Sequence, residues 1–255
     1  MGIQACPMPT AVLTSQTGFK SFYCNDCTDK LDYYTSEWKK LGFQPDGIYT
    51  GFLSSEKQVD KILDFINSFE TENTLVLVDP VMGDGGRTYS LFTDALACKM
   101  KKLVTVADVI TPNLTECCIL CDVDYCEFIK NADKPDFMDK IAELGKNLLN
   151  RYGVKIVIIT GIELKDIDGT MYVQNLISSK DEVFSVSCKK IGGSYSGTGD
   201  LFASVMFSGL LRGDTLRDTV SLAVKFIETP LRDTVALGID RNEGIEFEKH
   251  LKILL

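Results

Sequence analysis

The chain contains a single histidine, His250, in 255 residues. Ser-His-Asp triads, Cys-His pairs and histidine-rich metal sites all need a well-placed imidazole, so this scarcity argues against those classes. A catalytic proton transfer in this chain must therefore use a carboxylate, a lysine, a tyrosine or a cysteine.

Long apolar runs and clusters of basic residues are also missing from the sequence. No apolar run approaches the ~20 residues that span a bilayer, and the N-terminus lacks the basic stretch and apolar core of a signal peptide. The net charge is −9, which argues against nucleic acid as the main partner. We therefore expect a cytoplasmic protein with neither a membrane nor a nucleic-acid partner.

Cysteine is plentiful, but nine cysteines are an odd number and a disulfide framework is not expected. Two C-x-x-C pairs occur, Cys24 with Cys27 and Cys118 with Cys121. Two such pairs can bind zinc, although the long gap between them is unlike a usual zinc module. Cys117, Cys118 and Cys121 fit better as small buried apolar residues of a helix. Cys24 and Cys27 lie in a polar loop that could cover a substrate.

Strand-like and helix-like segments alternate along the chain. Residues 46–50, 75–78 and 154–159 read as buried parallel strands, whereas 170–173 and 182–191 read as an antiparallel pair. This pattern predicts one α/β domain over residues 1–255, with a mostly parallel, helix-covered sheet and a late antiparallel edge. Helices are predicted from 55 to 69, near 93–106, from 137 to the glycine at 153, and near 200–212, 215–228 and 245–254.

Polar clusters follow several of the predicted strands. Residues 79–86 contain two aspartates, 111–116 read Thr-Pro-Asn-Leu-Thr-Glu, and Thr160 follows another strand. Taken alone, the aspartates fit loop solvation, and Asn113 with Glu116 fits a helix capping box. Ligands bind beyond the carboxyl ends of such strands, so the clusters together predict a binding site.

The glycine-rich segment 192–200 runs directly into the apolar helix 201–210, with Asp200 at the junction. Backbone N–H groups at a helix N-terminus are unpaired and favour phosphate. A carboxylate beside a bound phosphate suits the removal of a proton from an attacking hydroxyl. The arrangement indicates a small-molecule kinase, although a tight turn with an acidic first-turn residue is the simpler alternative.

These segments carry a resemblance to a known family. Ser196–Asp200 resembles the anion-hole signature of the ribokinase-like carbohydrate and vitamin kinases, and residues 79–84 and 111–116 are similar to motifs of the pyridoxal kinase family. The resemblance covers essentially the whole chain. It implies a three-layer α/β/α fold and ATP-dependent phosphorylation of the 5′-hydroxymethyl group of a B6 vitamer. It also implies Mg²⁺, a monovalent cation such as K⁺, and a homodimer.

The resemblance assigns Asp200 as the base that accepts the proton of the vitamer hydroxyl. Phe52 would lie beside the vitamer ring, although a core aromatic explains it equally well. The other roles implied are an anion hole at the amides of Gly197, Thr198 and Gly199, Mg²⁺ coordination by Asp79, Asp84, Asn113 and Glu116, ATP contacts by Asp79, Thr111, Glu116 and Thr160, and vitamer contacts by Thr17, Gly18, Phe52 and Asp200.

The sequence departs from the family pattern in two places. Family members begin with a strand and turn upstream of the segment that matches Met1, so we expect a chain extended upstream to be more stable and more active. Gly161 stands where some relatives have a hydroxyl or basic residue. Two other functions stay open: a hydroxymethylpyrimidine kinase, whose members typically carry cysteine in place of Asp200, and an inactive protein that binds vitamer or nucleotide.

Overall fold

The computed structural model describes residues 1–90 and 92–255. The strands are β1 (Ala11–Leu13), β2 (Cys24–Asp26), β3 (Gly47–Thr50), β4 (Leu75–Val78), β5 (Gly83–Asp84), β6 (Arg87–Thr88), β7 (Val109–Ile110), β8 (Ile156–Lys165), β9 (Met171–Ser179) and β10 (Val183–Lys189). The helices are α1 (Leu31–Lys40), α2 (Glu56–Phe69), α3 (Asp94–Val104), α4 (Leu114–Cys121), α5 (Tyr125–Ile129), α6 (Phe137–Tyr152), α7 (Thr198–Arg212) and α8 (Leu216–Leu237). None of the helices in these ranges is both long and apolar enough to cross a membrane.

Six strands form the central sheet in the order β10-β9-β8-β7-β4-β3. β3, β4, β7 and β8 run parallel, and β9 and β10 pair antiparallel at the other side. β1 with β2 and β5 with β6 form two separate hairpins. The expected mostly parallel sheet with a late antiparallel edge is confirmed.

Two hydrophobic cores lie on opposite faces of this sheet because side chains alternate along each strand. Val76 and Val78 pack in the core beneath α2, α3, α4 and α6, whereas Leu77 packs in the core beneath α7 and α8. The predicted three-layer α/β/α arrangement follows from that alternation, and the fully apolar strand β4 is required because both of its faces are buried.

Several elements extend beyond or fall short of their predicted bounds. β8 continues through a register shift between Ile159 and Ile162 and reaches Lys165. α8 continues past Pro230, where the sequence suggested an end near residue 228, and the Thr234 hydroxyl donates to the Pro230 carbonyl at 2.8 Å. The predicted last helix is only a 3-10 segment, Glu248–Leu254, with no buried residue.

Candidate active site

Asp79 follows β4 directly and is almost fully buried, with 9% of its surface exposed. Its backbone N–H donates to the Thr50 carbonyl at 2.9 Å, which holds it against the end of β3. The Thr111 hydroxyl donates to Asp79 Oδ1 at 3.1 Å from the neighbouring strand end. Burial and, next, the Asp200 charge raise the pKa of Asp79 to about 7. The predicted convergence of residues 79 and 111 is therefore present in the geometry.

Glu116 and Asn113 form a capping box at the start of α4. Asn113 Oδ1 accepts from the Glu116 N–H at 3.0 Å, and Glu116 Oε2 accepts from the Asn113 N–H at 2.8 Å. The other carboxylate oxygen, Oε1, accepts from the Met82 N–H at 2.9 Å. Burial, followed by the charge of Asp79, raises the pKa of Glu116 well above its usual range. Glu116 thus joins the helix N-terminus to the loop after β4.

We expect Glu116→Gln to destabilise the fold by about 1–3 kcal/mol, because the amide nitrogen of glutamine would face a backbone N–H and leave a buried donor unpaired. Glu127→Gln is the matched control, since Glu127 is an exposed first-turn residue of α5, which Asp124 caps in the same way. Urea unfolding of both variants gives the comparison. Equal stability of Glu116→Gln and the wild type would show that the hydrogen bonds of Glu116 to the Met82 and Asn113 amides do not stabilise the fold.

The hairpin formed by β5 and β6 is fastened to the first turn of α4. Asn113 Nδ2 donates to the Gly83 carbonyl at 2.7 Å, and the Gly86 N–H donates to the Thr115 hydroxyl at 2.9 Å. A Cβ at position 83 would lie 2.3 Å from the Arg87 carbonyl oxygen, so only glycine fits there. Asp84 is exposed on this hairpin, and its Oδ1 accepts from the Gly85 N–H at 2.8 Å.

These residues fit a divalent cation through their charge. Asp79 and Glu116 repel each other, Asp79 also feels Asp200, and burial raises the pKa of all three carboxyl groups. A cation would relieve that repulsion, and Mg²⁺ prefers carboxylate oxygens and water. Within residues 1–90 and 92–255, however, no group of three or more acidic, cysteine or histidine side chains is arranged as a complete metal site.

The glycine turn before α7 presents open backbone amides. Gly197 has φ 81°, a left-handed conformation that favours glycine, and its carbonyl accepts the Leu201 N–H at 3.0 Å. The Thr198 hydroxyl donates to the Tyr195 carbonyl at 3.0 Å, which braces the turn. Gly199 has open space where a Cβ would be. The first-turn amides of α7 thus form a surface suited to a phosphoryl group.

Asp200 lies in the first turn of α7, beside this amide surface. Asp200 as a residue is exposed to solvent, but the protein atoms around its carboxylate raise its pKa by burial, and the nearby Tyr49 hydroxyl opposes that rise. A Cβ at Gly51 would lie 4.0 Å from Asp200 Oδ1 and 3.7 Å from the Tyr49 hydroxyl. Asp200 therefore faces the ends of β3 and β4 across the sheet edge.

Two tyrosines of this site are missed by the sequence analysis. Burial, with smaller contributions from Asp79 and Asp200, raises the pKa of Tyr49. The pKa of Tyr89 is likewise raised by burial and by several neighbouring carboxylates. The sequence around Tyr49 predicts only a short strand. Its position one residue before the end of that strand is the only signal that could have indicated a role in the site. Tyr89 stands outside the motif at 79–84. The carboxylates around Tyr89 are Glu116, Asp84, Asp79 and Asp200.

Thr160 lies next to the α4 cap. It forms an isolated parallel bridge with Asn113, and its N–H donates to the Pro112 carbonyl at 2.9 Å. Gly161 has φ 68°, and its N–H donates to Asn175 Oδ1 at 3.2 Å. The departure from the family at position 161 thus coincides with a left-handed conformation at the bulge of β8 that glycine adopts without strain.

Gly18, one of the residues predicted to contact a vitamer, belongs to a loop near the glycine turn. Gly18 packs against Asn242, since a Cβ at position 18 would lie 2.2 Å from the Asn242 side-chain oxygen. The adjacent Arg241 carbonyl accepts the Ser196 N–H at 3.0 Å, which links the loop of Thr17 and Gly18 to the glycine turn. These contacts place the loop beside the turn.

Phe52 lies just after β3 and is half-buried. Its carbonyl accepts a hydrogen bond from the Thr10 hydroxyl at 2.9 Å. The aromatic ring belongs to neither of the two hydrophobic cores of the described residues. The position of Phe52 beside a vitamer ring stays a prediction.

The cysteines of α4 pack as predicted from their helical spacing. Cys117 and Cys118 are buried, and burial raises the pKa of the Cys118 thiol to about 12. Such a thiol is protonated and unreactive at neutral pH. The predicted polar loop is wrong for Cys24, which begins β2, pairs with Leu13 and is half-buried, whereas Cys27 follows that strand and is buried.

The architecture is that of a ribokinase-like α/β/α protein. The phosphomethylpyrimidine kinase family matches residues 34–244, and the chain belongs to that family. It resembles a crystal structure of a predicted phosphomethylpyrimidine kinase from Bacteroides thetaiotaomicron, obtained in a crystal form with pyridoxal. The identity is 38%, the TM-score is 0.90, and the match covers 99% of this chain and 86% of the other.

Two curated relatives bear different activities in their names. The chain is 28% identical to the pyridoxal kinase of Arabidopsis thaliana over 74% of its own length and 58% of the relative's. It is 26% identical to a hydroxymethylpyrimidine/phosphomethylpyrimidine kinase of Staphylococcus aureus over 77% and 66% of the two lengths. The chain thus spans 58% to 66% of the length of these two relatives.

Proposed function

We propose that residues 1–255 form one kinase domain, which transfers a phosphoryl group from ATP to the 5′-hydroxymethyl group of a B6 vitamer, namely pyridoxal, pyridoxine or pyridoxamine. The observation that carries the proposal is the position of Asp200, a carboxylate in the first turn of α7 beside open backbone amides. Phosphoryl transfer requires a base for the hydroxyl and donors for the developing charge, and this turn offers both.

Each group of the candidate site has its own role in the proposed reaction. Asp200 accepts the proton of the attacking hydroxyl, and burial raises its pKa, which makes the carboxylate a stronger base. The amides of Gly197, Thr198 and Gly199 donate to the phosphoryl oxygens as negative charge develops. Thr111 and Thr160, at the adjacent strand ends, contact the nucleotide phosphates.

Mg²⁺ would neutralise phosphate charge when bound, and Asp79 is its first candidate ligand. Within the described residues, the hydrogen bond from Thr111 engages only Oδ1 of Asp79, which leaves Oδ2 for a cation or its water. Asp84 on the hairpin is a further candidate. Glu116 and Asn113 already bind backbone groups, so they would contribute through remaining lone pairs or through water.

The choice of a B6 vitamer over a pyrimidine rests on Asp200. The hydroxymethylpyrimidine kinases typically carry cysteine at this position of the turn, and the pyridoxal kinases carry aspartate. The pyridoxal in the crystals of the Bacteroides relative supports the same choice. The family description and the Staphylococcus relative favour the pyrimidine kinase as the second candidate.

A substrate panel with Mg-ATP tests the proposal. Pyridoxal, pyridoxine, pyridoxamine and hydroxymethylpyrimidine are each supplied, and the phosphorylated products are measured. We expect at least tenfold higher kcat/KM for one of the B6 vitamers than for the pyrimidine. Preference for the pyrimidine would establish the second candidate. Binding of vitamer or nucleotide without any product would instead indicate an inactive binding protein.

A further inference from the structure

The hydroxyl of Tyr49 lies near Asp200 and has no role in the proposed reaction described so far. It projects from β3, and both it and the Asp200 carboxylate flank Gly51, at 3.7 Å and 4.0 Å from the position of an added Cβ. The proximity of this hydroxyl lowers the pKa of Asp200 and so favours its charged form. Since burial and two neighbouring carboxylates keep Tyr49 protonated, its hydroxyl is a fixed neutral donor toward Asp200.

Close packing of β3 against α7 holds the two residues in register. A Cβ at Gly47 would lie 2.5 Å from the Phe207 ring and 2.9 Å from Leu211, so the helix lies directly on the strand. The Tyr49 and Phe207 rings are 6.1 Å apart between centroids, tilted by 48°. The phenol ring thus packs against the core beneath α7, while its hydroxyl lies near the Asp200 carboxylate beside Gly51.

We propose that Tyr49 is a positioning residue for Asp200: its hydroxyl orients the carboxylate so that one oxygen faces the substrate hydroxyl. The proposal rests on the proposed role of Asp200 as base. In the part of the chain that the structure describes, the Tyr49 hydroxyl lies near the Asp200 carboxylate but does not form a short, well-aligned hydrogen bond with it. Hydrogen bonds in catalytic sites are often long before substrate binds and tighten in the complex.

Tyr49→Phe tests this role because it removes the hydroxyl and keeps the ring against Phe207. A hydrogen bond to a charged group suggests a loss in kcat of about 10- to 100-fold, with KM for the vitamer within about twofold of the wild type. Tyr152→Phe is the matched control, since its buried hydroxyl donates to the Leu120 carbonyl at 2.7 Å, far along the chain from the glycine turn. That control should lower the melting temperature and leave kcat unchanged.

A double-mutant cycle separates positioning from a general structural effect. In the Asp200→Asn background, Tyr49→Phe should change kcat by less than about twofold, because the carboxylate that it orients is gone. The same fold loss in both backgrounds, or a wild-type kcat for Tyr49→Phe alone, would overturn the proposal.

A crystal structure of Tyr49→Phe provides a readout that needs no activity. The Asp200 side chain should leave its rotamer or occupy more than one, while the glycine turn stays in place. An unchanged, single Asp200 rotamer would refute the positioning role even if the protein phosphorylated none of the panel substrates. Failure of the substrate panel alone would instead count against the proposed function.

Discussion

Asp200→Asn should lower kcat by about 10²- to 10⁴-fold, while KM for vitamer and for Mg-ATP changes little. Asparagine keeps the size and one acceptor oxygen of the side chain but cannot accept the proton of the attacking hydroxyl. The anion-binding amides belong to the backbone and stay in place, so substrate binding should survive. Steady-state kinetics on the preferred vitamer gives both constants.

The control for this variant is Asp94→Asn. Asp94 also lies exposed in the first turn of a helix, α3, but α3 contributes none of the proposed site residues. Asp94→Asn removes a negative charge from a helix N-terminus, where the dipole favours it, and should cost a few tenths to about 1 kcal/mol of stability. Burial opposes the charge of Asp200 and raises its pKa, so Asp200→Asn should destabilise the protein no more than this control does. Only Asp200→Asn should affect turnover, and a near-wild-type kcat would rule out Asp200 as the base.

Asp79→Asn should stabilise the metal-free protein at pH 8 and abolish most of its activity. The folded-state pKa of Asp79, about 7, lies above the unfolded value, so the folded state binds more protons between about pH 4 and 7. Stability of the wild type therefore falls as pH rises through that window and stays low above it. Asparagine cannot ionise, which removes a penalty on the order of 2–4 kcal/mol at pH 8.

Denaturant unfolding in EDTA at pH 4 and pH 8 tests this prediction. The variant and the wild type should be similar at pH 4 and should differ at pH 8, with the variant more stable. Asp60→Asn is the control, because Asp60 is half-exposed in an ion pair with Lys99. A difference between the Asp79 variant and the wild type that does not change with pH would contradict the proposed burial of charge.

Loss of activity in the same variant would show why such a penalty is kept. A buried carboxylate under repulsion from Glu116 and Asp200 is unfavourable for folding, yet that repulsion favours the binding of a cation. Residues that serve a site often reduce stability in this way. If Asp79 binds the cation, Mg²⁺ at pH 8 should raise the stability of the wild type and should not raise that of Asp79→Asn.

Local signals made much of the fold predictable from the sequence. The apolar strand at Leu75–Val78 and the Ser55 cap of α2 both depend on neighbouring residues, and both are present in the structure. The strand-end clusters were predictable as one edge because parallel strands point their carboxyl ends the same way. The Asn113 and Glu116 pair satisfies the capping pattern and also lies within the proposed site.

The remaining features depend on contacts between distant segments. Tyr49 acquires its relation to Asp200 only through the close approach of α7 at Gly47, which no local pattern records. β8 passes its predicted end because its bulge at Gly161 is held by Asn175 from the next strand. In the same way, Gly18 meets Asn242 across more than two hundred residues of chain.

The hydrogen bonds between the β5–β6 region and the first turn of α4 have a consequence for hydrogen exchange. The Met82 and Asn113 amides both donate to Glu116, and the Gly86 amide donates to Thr115, so all three depend on the first turn of α4. If that turn opens as one cooperative unit, the three amides exchange with solvent at a common rate. The hairpin and the helix start would then loosen together, and nucleotide binding would slow exchange at all three positions in parallel.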